Sequence, residues 1–145
     1  MEFSASFTGT PAGARAARHF VRDALAGTED SFLDTILLLT SEVATNAVLH
    51  TGGMFEVQVE VLDRGGVRVS VTDDNEQVPQ PRVSPVDATT GRGLNLVDAL
   101  ASAWGVDDHR HGKVVWFEVS RVSARAESDR PQRKAEPIRS TKLSQ

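Results

Sequence analysis

Three short stretches of the chain carry side chains whose types and spacing could do chemistry together. Residues 40–53 read T-S-E-V-A-T-N-A-V-L-H-T-G-G. Taken as the last turns of a helix, this stretch sets Glu42 and Asn46 one turn and about 40° apart on one face, with His50 a further turn on. A carboxylate there can take a proton or orient a hydroxyl, and a carboxamide oxygen can ligate a hard cation such as Mg²⁺. Leu39, Val43 and Ala47 fall at neighbouring angles and would face a core. The plain alternative is a solvated helix face, where Glu and Asn four residues apart are common. His50 could touch a phosphate, or could simply favour the negative end of the helix dipole.

The second stretch ends on Asp73. Val67, Val69 and Val71 alternate as in a strand, and T-D-D-N follows. A strand-end carboxylate can accept a hydrogen bond from the exocyclic amine of adenine, a donor that guanine lacks at that position. D-D-N is also ordinary turn chemistry. Asp74 is the alternative carboxylate, but Asp73 continues the alternation after Val71 better. The third stretch, Gly91-Arg92-Gly93, opens a helix through Leu94. Its glycines would let backbone N–H groups approach a phosphate, the helix N-terminus adds partial positive charge, and Arg92 could add a full one. It is not a Walker loop, since no Gly-Lys-Ser/Thr follows, nor a dinucleotide fingerprint, since the glycines follow a loop rather than a strand. Without a ligand it would be a hinge into a helix.

The elements that must hold these groups can be read from periodicity. Phe3, Ala5 and Phe7 alternate with polar residues and predict a first strand. Thr10-Pro11 predicts a helix start, Thr as cap and Pro at the first position, with Ala14, Ala17, Val21 and Leu25 at helical spacing and a stop at Gly27. A second, longer helix is expected from about Asp30 into the Glu42 stretch. Phe55, Val57, Val59 and Val61 alternate, as do Val67 to Val71, and D-R-G-G between them predicts a hairpin. Residues 76–90, with Pro79, Pro81 and Pro85, have no period and predict a long loop of the kind that often covers a binding site. Leu94, Val97, Ala101 and Trp104 predict a helix ended by Gly105. Short strands are expected at 106–108 and 113–120. The order predicts an α/β two-layer sandwich, with about three helices on one face of a mixed, largely antiparallel sheet.

Composition limits what this domain can be. A length of 145 residues favours one domain with a modest core, and the hydrophobic fraction of 39 % suggests that part of the chain lies outside it. Residues 121–145 hold seven Arg and Lys against Glu127, Asp129 and Glu136, a net of +4. With a whole-chain charge of −4, residues 1–120 carry −8. An acidic body argues against direct nucleic-acid binding. The last 25 residues have the composition of a disordered basic tail. No cysteine is present, which excludes disulfides. No secretory signal is read at the start, and the most apolar run, Ile36 to Leu39, is too short to cross a membrane, so a cytoplasmic location is expected.

Order joins the three stretches. E-x-x-x-N on a helix, a strand-end Asp, a long loop and G-x-G-L-x-L-V opening a helix together resemble the GHKL family of ATP-binding domains, found in histidine kinases and gyrase B. The likeness covers residues 3–120. S-E-V-A-T-N-A-V-L-H-T-G, G-R-G-L-N-L-V-D-A-L-A-S-A-W-G and G-K-V-V-W-F-E are similar to segments of its stand-alone branch, the anti-sigma-factor serine kinases and related actinobacterial ATP-binding proteins. The resemblance implies a Bergerat-type fold binding ATP and Mg²⁺. By position, Asn46 would ligate the metal, Glu42 would be the catalytic base toward a serine hydroxyl or water, and Asp73 would read adenine. Gly91, Arg92, Gly93 and Leu94 would line the phosphates, with His50 closing the motif. It also implies a serine/threonine kinase that sequesters a sigma factor or phosphorylates a STAS-type antagonist, and a homodimer with Phe3 to Phe7 as a strand edge. A non-catalytic ATP-binding partner-switching module is the alternative. The family's D-x-G-x-G is here Asp73-Asp74-Asn75-Glu76-Gln77, without the glycines that make room beneath adenine and hinge the lid.

Overall fold

The computed structural model describes residues 1–50, 53–73, 94–109 and 112–121. The chain opens with strand β1 (Glu2–Thr8), whose alternation half-buries Phe3, Ala5 and Phe7 and leaves Glu2, Ser4, Ser6 and Thr8 exposed. Helix α1 (Pro11–Ala24) starts as its sequence predicts: Thr10 is extended and its hydroxyl accepts the Gly13 N–H at 3.0 Å. Gly13 is there for space. A Cβ at this position would overlap the Thr8 carbonyl oxygen and lie 2.8 Å from the Thr8 Oγ1, so glycine lets α1 turn back hard against the end of β1.

Helix α2 (Asp30–His50) is the longest described element. Ile36, Leu37, Leu39, Val43, Ala44 and Ala47 form its buried side, packed on β3, β5 and α1. Strands β2 (Met54–Val61) and β3 (Val67–Asp73) form the expected hairpin, closed by Gly65 N–H to Leu62 O at 2.9 Å, with Gly65 at φ +87°. A helix over 94–100, here α3, precedes β4 (Ala103–His109) and β5 (Gly112–Val119).

The five strands form one sheet in the order β1-β2-β3-β5-β4, and every described pairing is antiparallel. The two-layer sandwich therefore holds, with no parallel pair among the described residues. Phe55, Val57, Val59, Val69, Val71, Val115 and Phe117 point to the helix side, where Val21 of α1, Leu39 and Val43 of α2, and Val97 of α3 complete a single core. On the open side, Arg68 lies 4.4 Å over the Trp116 ring and its Nε donates to Glu118 Oε2 at 2.8 Å.

Two expectations need correction. The spacing through Trp104 predicts a helix reaching Gly105, but the helix ends by residue 100, and both residues lie in β4. Gly105 pairs with Trp116 across β4 and β5, and a Cβ there would lie 2.8 Å from the Trp116 ring. The glycine accommodates a neighbouring ring rather than ending a helix. The chain was also expected to lack a run long and apolar enough to cross a membrane. Helix α2, at 21 residues and a mean hydropathy of 1.4 over its most apolar window, meets that test by length and composition. Its buried side covers the sheet and supplies part of that hydropathy, while Leu38 and Leu49 add apolar surface that is exposed.

Candidate functional site

Among the described residues, the buried polar or charged side chains are Thr40, Asn46 and Asp73. Thr40 bonds back to the Ile36 carbonyl at 2.7 Å within its own helix. The other two are the residues singled out from sequence spacing. Asn46 is 5 % exposed and Asp73 is 6 % exposed. Burying an amide or carboxylate is costly unless the surroundings are arranged for it. The solvated-face reading of the E-x-x-x-N pair therefore fails for Asn46.

Each is placed by the periodicity of its element. Position 46 lies on α2 between Val43 and Ala47, which hold that side of the helix to the core, while Glu42 and His50, a turn away on either side, are half-buried. The stripe thus runs along the margin of the core, with its middle member inside and its outer members reaching solvent. Asp73 takes the inward position that follows Val67, Val69 and Val71 on β3, directly opposite Phe55 on β2. Since α2 packs on β3, carboxamide and carboxylate belong to facing layers of one sandwich.

Of the remaining predicted residues, Leu94 is half-buried and its side chain packs against the core, so it seats α3. Gly91, Arg92 and Gly93, the alternative carboxylate Asp74, the loop over 76–90 and the tail beyond Arg121 lie outside the described residues.

Two features were not found from sequence. Gly112, read as part of a turn and as the first residue of the G-K-V-V-W-F-E segment but given no role, sits against the end of β3. A Cβ at 112 would overlap the Asp73 carbonyl oxygen and lie 2.8 Å from Oδ1. A lone glycine beside a hairpin gives no hint of this, because the contact depends on β5 lying beside β3. The second is Trp104, whose Nε1 donates to Asp98 Oδ1 at 2.9 Å and ties α3 to β4. Away from this site, α1 and α2 bound a groove of about 430 Å³ lined by Ala14, Arg15, Arg18, Thr45, Val48 and Leu49. Arg18 bridges it to Ser41 at 3.1 Å.

The donor set can be tested against a metal. No cluster of three or more His, Asp or Glu side chains able to cage an ion is present among the described residues. One carboxamide with one half-buried carboxylate a turn away suits Mg²⁺ that arrives with phosphate and keeps water ligands, rather than a resident ion held by protein alone.

An antiparallel sheet covered on one face by three helices, with a buried Asn on the long helix and a buried Asp at a central strand end, is a two-layer α/β sandwich with two polar groups inside it. The chain belongs to the Histidine kinase-like ATPase domain family, which it matches over residues 7–119. It is 37 % identical over 82 residues to an uncharacterized protein of Streptomyces coelicolor, covering 54 % of this chain and 78 % of that one. Its fold is similar to the crystal structure of the RsbU and RsbW domains of Rv1364c from Mycobacterium tuberculosis, with a TM-score of 0.64 and 24 % identity. That match covers 83 % of this chain and 32 % of the other. It is also similar to a blue-light activated histidine kinase of Erythrobacter litoralis, with a TM-score of 0.51 and 21 % identity, over 76 % of this chain and 41 % of that one. The chain thus spans less than half the length of either of these two solved chains.

Proposed function

We propose that this domain binds Mg·ATP and works as a regulatory serine/threonine kinase of the anti-sigma-factor type, in the cytoplasm. The observation that carries the reading is the burial of Asn46 and Asp73, two polar groups on facing layers, in a chain of the ATPase family.

In this reading Asp73 accepts the exocyclic amine of adenine and selects the base. Asn46 offers its carboxamide oxygen to the metal, and His50 and the 91–94 segment border the phosphates. Mg²⁺ held there with the nucleotide would supply charge neutralisation for the transfer. Glu42, half-buried and one turn from Asn46, takes the proton of the attacking serine hydroxyl. The serine oxygen then bonds to the γ-phosphorus as the bond to the β-bridging oxygen breaks, and ADP leaves.

The client is a sigma factor or similar protein, and the phosphorylated partner is a small STAS-type antagonist whose release restores the first pairing. The groove between α1 and α2, with its arginines and the exposed Leu49, supports a protein partner close to the Glu42 helix. The edge position of β1 supports a homodimer formed through that strand.

The test mixes the protein, Mg·ATP and a candidate antagonist and measures phosphoserine. Saturable ATP binding without phosphoserine removes the kinase and leaves the second reading, an ATP-holding partner-switching module. The glycine-free Asp73-Asp74-Asn75-Glu76-Gln77 stretch favours that second reading.

A further inference from the structure

We propose that Gly112 is a base-specificity determinant of the nucleotide site: the bare Cα at the start of β5 seats the Asp73 carboxylate in the position from which it distinguishes adenine from guanine. The inference rests on the proposed nucleotide reading and adds to it Gly112, the first residue of the G-K-V-V-W-F-E segment, to which no site role was given.

Asp73 is the last residue of β3, paired with Phe55 on one side. On the other side the ladder to β5 ends one rung earlier, at Thr72 and Val114. The last turn of backbone bearing the carboxylate is therefore fixed by β2 and only flanked by β5. Gly112 fills that flank. A Cβ at this position would meet the Asp73 carbonyl oxygen, the Asp73 carbonyl carbon (3.1 Å) and Oδ1 (2.8 Å), so backbone and carboxylate are both engaged. Two of the three atoms are main chain, which has no flexible end that can swing away. A methyl group at 112 therefore moves either the β4–β5 turn or the end of β3, and moving β3 carries the carboxylate with it.

That displacement has a chemical readout. A carboxylate facing the adenine amine accepts a hydrogen bond, whereas facing the guanine carbonyl oxygen it meets another acceptor. Sites built around such a polar match discriminate strongly, and the discrimination falls off with small errors of placement. A general loss of stability weakens both nucleotides alike. A shifted Asp73 weakens ATP selectively.

The experiment measures the affinities of wild type, Gly112→Ala and Gly105→Ala for ATP and GTP by calorimetry, with circular dichroism confirming the fold. Gly105→Ala is the control: it crowds the Trp116 ring in the same hairpin, on the far face of the sheet from Asp73. Gly112→Ala is expected to lower the ATP-over-GTP preference about tenfold or more, and Gly105→Ala to preserve it, since a charge-assisted hydrogen bond contributes about that factor. In an Asp73→Asn background, Gly112→Ala is expected to change the preference by less than about twofold, as residues acting through one another are not additive. Wild-type preference retained in folded Gly112→Ala overturns the inference while leaving the nucleotide reading intact. Absence of ATP binding by wild type overturns both. A crystal structure of wild type with ATP needs no variant: Gly112 is expected to remain against Asp73 with adenine bound, and a turn withdrawn from Asp73 overturns the proposal.

Discussion

Replacing Asn46 with Ala separates a ligand from a structural amide. The side chain is 5 % exposed and lies midway along the buried margin of α2. Its removal leaves neighbouring polar groups without a partner at a cost of about 1–3 kcal/mol, a fall of several degrees in Tm for a domain of this size. That cost is expected whatever the residue does. If the carboxamide oxygen also ligates nucleotide-bound Mg²⁺, a second loss appears. Taking the interaction with a charged group as about 1.5–3 kcal/mol, ATP affinity in Mg²⁺ falls about 10- to 150-fold. Affinity in EDTA should change little, because without metal the amide has nothing to ligate. The assay is calorimetric titration of ATP into both proteins, with and without Mg²⁺, below the Tm of the variant. The expected result is a collapse of the Mg²⁺ dependence in the variant. An equal ratio of the two affinities in variant and wild type would refute the metal role and confine Asn46 to the fold.

Other substitutions probe neighbouring links of the argument. Glu42→Gln keeps the shape of the half-buried side chain and removes the proton acceptor. ATP affinity should stay within about threefold while phosphoserine formation drops about 10²- to 10⁴-fold, and unchanged transfer would exclude Glu42 as the base. Gly13→Ala sets a methyl group against Thr8 and disturbs the Thr10 cap, so urea unfolding should show a loss of about 2–4 kcal/mol; a loss below about 0.5 kcal/mol would contradict the packing of α1 on β1. Arg121 lies 5.0 Å over the Phe32 ring, one residue beyond the boundary expected at 120. Ending the chain after Arg121 should leave Tm unchanged, whereas ending it after Ser120 should cost about 0.5–1 kcal/mol; identical unfolding curves for the two would show that the contact is inconsequential.

Local pattern reached far into this chain because most of its elements are of one clear period. The Thr10-Pro11 start, the hairpin at 62–66 and the alternation of β2 and β3 each need only a few neighbouring residues to be specified. The same alternation placed Asp73 inward, and the 3.6-residue repeat placed Asn46 beside Val43 and Ala47. Where two periods fit one window the reading failed: the residues from Ala101 through Trp104 suit a helix ended by Gly105 until Gly105 is seen to lie against Trp116, eleven residues away.

What the amino-acid sequence by itself determined was the face of each element and the polar groups upon it. Only the tertiary structure decided that Asn46 and Asp73 are both buried and that β5 lies between β3 and β4, with Gly112 against the strand-end carboxylate. The reason is physical. Periodicity is a property of a few bonded residues, whereas sheet order and close approach are set by pairing between strands far apart in the chain, which no local window contains.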